Sequence, residues 1–337
     1  MQLDYHYYAI FQLAKLAGFN AGDSETIEFA SQYVDDSTES EPIEPFPDQH
    51  FDTVRTAHYN LKAFNWNVQK KIYMPFHFLP LKIRWISPRD FSYLTKPASG
   101  DDSELPTMLI KDAVAEKNRT FKLIRLGVAL HTVADTFSHF GFSGRHHDEN
   151  NIGRIWHAKK SGGWQLQLLT SYIADLFVPR IGHVEAFELP DQPFLKWRYT
   201  NNEGRKKPRD NLKFSLQGAK LIYNFLKVAK EPSAGSADLG QEHPKDFKKI
   251  HSLFQKRGDL DSRCSQWKNY TGAAEYNKTK WRQKALKGDI EWDDMSPSEI
   301  KIHNRKLKGK SGFDSSKWAY FHRAAFKQRS LVVGWLN

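Results

Sequence analysis

The chain has 337 residues, a net charge of +11 and an aromatic content of 14%, which is enough for one large domain or two ordinary ones. Its single cysteine, Cys264, excludes an intramolecular disulfide and a cysteine-based zinc site, so any metal must be held by His, Asp and Glu. No apolar run reaches the length of a membrane span, and the start of the chain lacks the basic and then apolar pattern of a secretory signal. We therefore expect cytoplasmic synthesis and no transmembrane segment, while export without a cleaved signal stays open.

Charge is distributed unevenly along the chain. Residues 1–190 carry 19 basic and 23 acidic residues, a net of −4, whereas residues 191–337 carry 31 and 16, a net of +15. This division suggests that the first part holds the chemistry and the second binds a polyanion. An ordinary basic surface over an aromatic core is the alternative. The tryptophans that interleave with Lys and Arg, and that could stack on nucleic acid bases, are Trp267, Trp281, Trp292, Trp318 and Trp335.

The first 120 residues predict two helices and two irregular regions. Residues 5–18 favour an amphipathic helix that stops at Gly18, and Asp23 or Ser24 can cap a second helix through ETIEFASQYVDD. The prolines of TESEPIEPFPDQH indicate an extended loop. Residues 72–95, with three further prolines, predict short strands or an irregular lobe.

A buried central helix is predicted next, within residues 121–144, because apolar residues cover most of its sides. Residues 160–178 predict an apolar helix, and residues 181–210 a long irregular stretch. An amphipathic helix follows at 213–230, and the rest of the chain favours helical pieces rich in Lys, Arg and Trp. The predicted organisation is a helical domain at 1–230, a linker at 231–242 and a basic, Trp-rich C-terminal region at 243–337.

Three polar residues interrupt the central helix at a spacing of four: His131, Asp135 and His139. Each step of four residues turns only about 40° around a helix, so all three project from one face. Two imidazoles and a carboxylate aimed at one point form a ligand set that Zn²⁺ takes. A buried hydrogen-bonded network of the same side chains is the competing interpretation, since unpaired buried polar groups are costly.

Other candidate ligands lie in apolar surroundings before and after the central helix. They are His6, Asp35, Asp36, His58, His147 and His183. Asp35 and Asp36 end the second helix, where the helix dipole disfavours anions unless a cation or solvent is near. The adjacent pair His147–Asp148 also allows an HD-type phosphohydrolase. The histidines without a partner pattern, interpreted as surface or packing residues, are His50, His77, His243, His251, His303 and His322.

The segment LGVALHTVADTFSH resembles the central helix of the zinc-dependent phospholipase C-like superfamily, which also contains single-strand-specific nucleases and the lipase domain of GPI-specific phospholipase D. The similarity covers about residues 4–190. It implies a multi-helical bundle around a His/Asp cluster of two or three zinc ions. The basic helical C-terminal region lies outside the similarity and is expected to be an extension of this bundle. The metal ligands that the similarity implies are His6, Asp35 or Asp36, His58, His131, Asp135, His139, and His147 or His183. The segments MQLDYHYY, SQYVDD and PDQPFLKWRY are also similar to an uncharacterised bacterial family.

Two features depart from the superfamily pattern. Its three-zinc members commonly bind metal through the amine of a processed N-terminal Trp, whereas this chain begins MQLD, so Asp4 could supply that ligand or one metal could be absent. The superfamily's final His is followed four residues later by an acid, but Phe187 follows His183 and Asn151 follows His147 at that distance.

The resemblance implies phosphodiester hydrolysis by a metal-activated water, with His131 and Asp135 at the catalytic centre and Asp135 binding or bridging metal. The expected function is a phospholipase C-like phosphodiesterase. A nuclease on the same scaffold, using the basic region for nucleic acid, is the second hypothesis. The third is a non-catalytic metal-binding or toxin-like interaction protein.

Overall fold

The computed structural model describes residues 1–58, 61–80, 93–99, 104–159, 162–167, 181–233, 237–288 and 297–336. This part of the chain is mainly helical, as predicted. A π-helical turn, Asp4–Ala9, leads into the first α-helix, and a second π-helical segment covers Gln69–His77. The α-helices are α1 (Ile10–Leu16), α2 (Ala21–Asp36), α3 (Trp66–Val68), α4 (Glu104–Val114), α5 (Arg119–Ser138), α6 (Asn211–Lys230), α7 (Leu239–Glu242), α8 (Pro244–Phe254), α9 (Leu260–Thr271), α10 (Lys280–Ala285), α11 (Pro297–Asn304) and α12 (Lys317–Leu336).

Two small antiparallel sheets interrupt the helical chain. Their strands are β1 (Ile152–Ala158), β2 (Trp164–Gln167), β3 (Lys196–Asn201), β4 (Lys206–Asp210), β5 (Leu286–Lys287) and β6 (Lys308–Gly309). The first sheet has the strand order β2-β1-β3-β4, and the second pairs β5 with β6.

The larger sheet corrects two predictions. Residues 164–167, expected in an apolar helix, pair as β2 with β1, while residues 168–178 lie outside the described part. The stretch 181–210, expected to be irregular, contains β3 and β4. Trp197 and Tyr199 alternate inward with Arg198 between them, a period-two pattern that was too short to separate from a loop.

Local chemistry explains the beginnings of the two central helices. Asn20, rather than Asp23 or Ser24, caps α2, because its side chain accepts a hydrogen bond from the backbone N–H of Asp23. Asn118 caps α5 in the same way through Phe121. The region predicted as strands or an irregular lobe is π-helical over Gln69–His77. Residues 81–92 of that region lie outside the described residues.

One hydrophobic core extends across the boundary predicted at 231–242. Helix α5 lies at its centre and packs against α2, α4, α6 and α12, so the C-terminal α12 contacts the same helix as the N-terminal α2. Residues 239–242 of the predicted linker form the short helix α7. Trp267 and Trp318 are buried in this core and do not offer stacking faces to nucleic acid, and Trp281 is 4% exposed at the wall of a small cavity. Trp292 lies outside the described residues. No described helix has both the length and the hydropathy of a membrane span.

The buried His322 should make folding stability depend on pH. Its Nδ1 accepts a hydrogen bond from the backbone of Val54 at 3.0 Å, and burial lowers its pKa to about 4. The unfolded state therefore binds more protons between pH 4 and 6.5, so stability falls as the pH falls through that window. His322→Asn can still accept this hydrogen bond. Between pH 6.5 and 4 the free energy of unfolding, measured by chemical denaturation, should fall by about 3 kcal/mol less in the variant than in the wild type. Equal falls in the two proteins would contradict a lowered pKa for His322.

Candidate metal centre

The polar face of α5 points into a buried cluster of histidines and carboxylates, with Asp135 at its middle. His131 Nε2 lies 3.2 Å from Asp135 Oδ2, and His139, one residue beyond the helix, places Nδ1 3.6 Å from the same oxygen. All three side chains are almost fully buried. The spacing of four therefore does bring these groups together, as the helix geometry predicts.

Two π-helical segments add histidines to the cluster. His6 lies in Asp4–Ala9 and approaches Asp135 Oδ1 with Nε2 at 3.0 Å. His77 is the last residue of Gln69–His77 and places Nδ1 3.2 Å from Asp135 Oδ2. The wider π turn redirects side chains relative to a regular α-helix, and such turns are frequent at functional sites.

The C-terminus of α2 contributes the carboxylate of Asp35. Its Oδ1 lies 3.6 Å from His131 Nε2 and 3.8 Å from His77 Nδ1. Burial raises the pKa of Asp35 to about 7, against the lowering effect of His77. Asp36 points elsewhere, where its Oδ2 accepts hydrogen bonds from Tyr276 at 2.8 Å and Gln32 at 3.0 Å. The structure therefore selects Asp35 from the two acids that the sequence left open.

A second group of donors lies beside the end of α5. His139 Nε2 lies 3.1 Å from Asp191 Oδ1, and His183 Nε2 lies 3.4 Å from Asp191 Oδ2. In the superfamily pattern an acid follows the final His by four residues, and this chain has none there. Asp191 supplies the carboxylate beside His183 instead, because the chain reverses between two short 3₁₀ turns, Val184–Ala186 and Leu189–Asp191. Phe187 makes this reversal with a φ of 50°, an unusual conformation for a bulky residue and one found at functional sites.

The amino group of Met1 also lies in the cluster. Its nitrogen is 2.7 Å from Asp135 Oδ1 and 3.0 Å from Asp191 Oδ1. Burial alone would lower its pKa, but these two carboxylates raise the pKa to about 11. Asp4, the other candidate for this position, instead forms a buried ion pair with Arg263, Nε to Oδ2 at 2.8 Å. Asp4 is therefore not directed at the cluster.

Burial favours the neutral, metal-binding form of several imidazoles. It lowers the pKa of His131, lowers that of His6 well below the usual range and lowers that of His183 to about 4. Burial alone would raise the pKa of Asp135. His139, the Met1 amine and His131 instead hold the pKa of this carboxyl well below its usual range. At neutral pH the imidazoles of His6, His131 and His183 are thus neutral nitrogen donors beside the ionised Asp135, the protonation states that metal binding requires, whereas the Met1 amine carries a proton.

Two predicted ligands lie outside these donor groups. His58 has an exposed side chain, and its ring centre is 4.2 Å from that of His77 and 5.0 Å from that of Tyr73, so it lies beside the cluster. His147 precedes a short 3₁₀ turn, where Nδ1 accepts a hydrogen bond from the backbone of Glu149 at 3.2 Å. His147 therefore has a local structural role in this turn, whereas the HD-type alternative needs it as a metal ligand.

Two groups of the cluster were missed in the sequence. His77 was interpreted as a surface or packing residue, yet it is 1% exposed and touches Asp35, His131 and Asp135. A histidine inside the apolar run MPFHFLP was the available signal, because a buried imidazole needs a partner. Asp191 gave no such signal, since only the reversal at Phe187 brings it to His183.

Asp35 and Asp36 allow a matched test of the cluster. We expect Asp35→Asn to lower the number of metal ions bound per chain, because it removes a carboxylate that lies within 3.8 Å of two imidazoles. Asp36→Asn changes the same atoms one residue away and should leave the metal content unchanged. Metal analysis of both purified variants makes the comparison; an equal effect would contradict the placement of the two carboxylates.

Fold and site together define a mainly helical protein with buried His/Asp groups that could hold metal ions. Over residues 1–336 the chain matches the model of DUF6765, a family of unknown function, and it belongs to that family. Comparison with curated proteins and with solved structures finds no match.

Proposed function

We propose that this protein is a zinc-dependent phosphodiester hydrolase of the phospholipase C-like kind. The observation that carries the proposal is the geometry of three donor atoms from His77, His131 and Asp135, with Asp35 Oδ1 further out at 3.6 Å from His131 Nε2 and 3.8 Å from His77 Nδ1. His77 Nδ1 and His131 Nε2 each lie 3.2 Å from Asp135 Oδ2 and 3.3 Å from each other. Ligands about 2.0–2.1 Å from a tetrahedral zinc lie roughly 3.3 Å from one another, so these three atoms are spaced as zinc ligands are.

The outer hydrogen bonds of three histidines support the same interpretation. His77 Nε2–H donates to the carbonyl of Thr56 at 2.9 Å, His139 Nδ1–H to that of His77 at 2.8 Å, and His183 Nδ1–H to that of Phe187 at 2.8 Å. Each bond fixes the tautomer that leaves the other nitrogen free to face the cluster. Metal-binding histidines are commonly oriented through such bonds to backbone carbonyls.

Two of the buried imidazoles lack such outer hydrogen bonds. The Nδ1 atoms of His6 and His131 have no hydrogen-bond partner among the described residues, and the two rings stack with centres 3.9 Å apart. A network built only to satisfy buried groups would be expected to pair these nitrogens. The donors form three groups, and within each group the ligand atoms lie within 4.8 Å of one another: His6, Asp35 and His131; His77, His131 and Asp135; and His139, His183 and Asp191.

These residues would hold two or three ions, with Asp135 between the groups because its two oxygens face different sets of partners. Bound Zn²⁺ would supply Lewis acidity toward the phosphoryl oxygens and a water of lowered pKa. The chain itself orients the imidazoles through backbone carbonyls and keeps His6, His131 and Asp135 away from bulk water. A phospholipid is proposed ahead of nucleic acid, since three of the tail tryptophans are buried and do not form a stacking surface.

Metal removal and restoration test this function. The protein is treated with a chelator, dialysed and assayed on bis(4-nitrophenyl) phosphate, with circular dichroism as a control for folding. We expect hydrolysis to disappear in the folded, metal-free protein and to return when Zn²⁺ is added. Phosphatidylcholine and single-stranded DNA are then compared as substrates, with salt dependence expected for the DNA alternative. A folded, zinc-reconstituted protein that hydrolyses none of the three would overturn the proposal.

A further inference from the structure

A cavity of about 270 Å³ lies away from the metal cluster, between the N-terminal helix, α2, α10 and the start of α12. This volume is close to the roughly 300 Å³ at which ligand-sized sites begin. Its aromatic wall consists of Tyr7, Phe29 and Trp281, and the rings of Phe29 and Trp281 stack with centres 4.2 Å apart. The other lining residues are Glu25, Lys280, Lys284, Ser316 and Lys317.

Three lysines converge on this cavity from two separate helices. Lys280 and Lys284 are four residues apart on α10, so they share one face, where like charges repel. Lys317 comes from the start of α12 and is held in place, with Nζ donating to Thr26 Oγ1 at 2.7 Å and lying 5.9 Å from the ring centre of Trp281. Among the lining residues that the structure describes, Glu25 is the one acid beside three lysines, a net charge of +2.

The lysines of α10 form no close ion pair in the described part of the chain. Lys284 is exposed, and the half-buried Lys280 interacts electrostatically with Glu28 without pairing to it. Each ammonium group offers up to three hydrogen-bond donors. Burial lowers the pKa of Lys317; Glu25 acts against this lowering, and Lys280 and Lys284 add to it. A multivalent anion in the cavity would remove the repulsion among the three ammonium groups.

We propose that this cavity binds an organic phosphomonoester, with the phosphate held by Lys280, Lys284 and Lys317 and the organic part against the aromatic wall. Lysine binds phosphate as a point charge, so three ammonium groups around one dianion suit a phosphate better than a singly charged carboxylate. The backbone N–H groups at the start of α12, a helix of 20 residues, also favour an anion beside Ser316. The site is separate from the proposed catalytic function and shares no side chain with the metal cluster.

Calorimetric titration with phenylphosphonate tests the site, because this probe carries a dianion and a ring and cannot be hydrolysed as an ester. Methylphosphonate supplies the anion without the ring, and vesicles that contain phosphatidic acid present the phosphomonoester as a lipid headgroup. The test variant is Lys280→Gln with Lys284→Gln. Its matched control is Lys245→Gln with Lys248→Gln, an equal charge change on exposed lysines of α8 outside the cavity.

We expect phenylphosphonate to bind more tightly than methylphosphonate, and its affinity to fall about tenfold or more in the test variant but not in the control. Glu25→Gln should tighten binding, since it removes the opposing charge of the lining. Lysine-dependent binding to the soluble probe supports a free organic phosphate, whereas lysine-dependent binding to vesicles alone supports a lipid headgroup. Equal losses in test and control variants, or no preference for the ring, would overturn the proposal.

The same titration on Asp135→Asn separates this site from the metal cluster. The cavity lies on other side chains, so the variant should keep its lysine-dependent binding even when it has lost its metal. Loss of phenylphosphonate binding in folded Asp135→Asn, with the lysines intact, would mean that the probe binds at the metal cluster and would contradict the second site.

Discussion

Gly127→Ala should lower the free energy of unfolding by about 2–3 kcal/mol, although alanine is intrinsically the better helix former. Gly127 lies in α5 where this helix crosses α2, and an added Cβ would come 2.4 Å from the carbonyl oxygen of Ile27 and 2.6 Å from Ala30 Cβ. Those contacts are with backbone and a short side chain, so they cannot be relieved by a rotamer change. The two helices would have to separate.

Separation of these helices should also weaken metal binding, because α2 carries Asp35 while α5 carries His131 and Asp135. Gly334→Ala is the matched control, since an added Cβ there meets nothing within 4 Å in helix α12. We expect that change to be neutral or to stabilise by up to about 1 kcal/mol. Chemical denaturation of the two variants checks both expectations; a Gly127→Ala protein as stable as Gly334→Ala would contradict the close helix crossing.

Asp135→Asn should lower phosphodiester hydrolysis by roughly a thousandfold, the effect of losing about 4 kcal/mol of metal-dependent transition-state stabilisation. The substitution keeps the shape of the side chain but removes the charge that faces the Met1 amine, His6, His77 and His131. The measurement is initial rates on bis(4-nitrophenyl) phosphate at saturating zinc, with circular dichroism to verify folding.

Asp314→Asn provides the control for this variant, because Asp314 is an exposed carboxylate that pairs with Arg323 on the surface. It should keep the wild-type rate. A folded Asp135→Asn protein with wild-type activity would remove Asp135 from the catalytic centre and would leave its buried contacts as a structural network.

Part of the site follows from local sequence and part does not. His131, Asp135 and His139 could be predicted together because a helix fixes which residues share a face. The structure places His131 Nε2 3.2 Å and His139 Nδ1 3.6 Å from Asp135 Oδ2. Asp35 and Asp36 could not be separated in this way. Both lie in the last turn of α2, and only the tertiary contacts of Asp35 with His77 and His131 distinguish them.

The groups that were missed depend on unusual backbone. His77 ends a π-helical segment in a proline-containing region, for which the 3.6-residue period gives no guide to side-chain direction. Asp191 approaches His183 only because Phe187 adopts a positive φ. Strands β3 and β4 follow soon after, and their hydrophobic pattern is too short and interrupted to predict strands. The helices of the core could be predicted from the periodicity of their apolar residues. The small sheet beside the site could not, because it depends on pairing between strands that are distant in sequence, such as β1 and β3.

Metal content of the untagged protein tests the central claim most directly. Elemental analysis is made on wild type, on His77→Ala and on His147→Ala, after zinc reconstitution and removal of loosely bound ions, with folding verified for each. We expect two or three zinc ions per chain in wild type and in His147→Ala, and fewer in His77→Ala, because His77 Nδ1 lies 3.2 Å from Asp135 Oδ2 and 3.3 Å from His131 Nε2. A folded wild-type protein that retains no zinc would contradict this expectation.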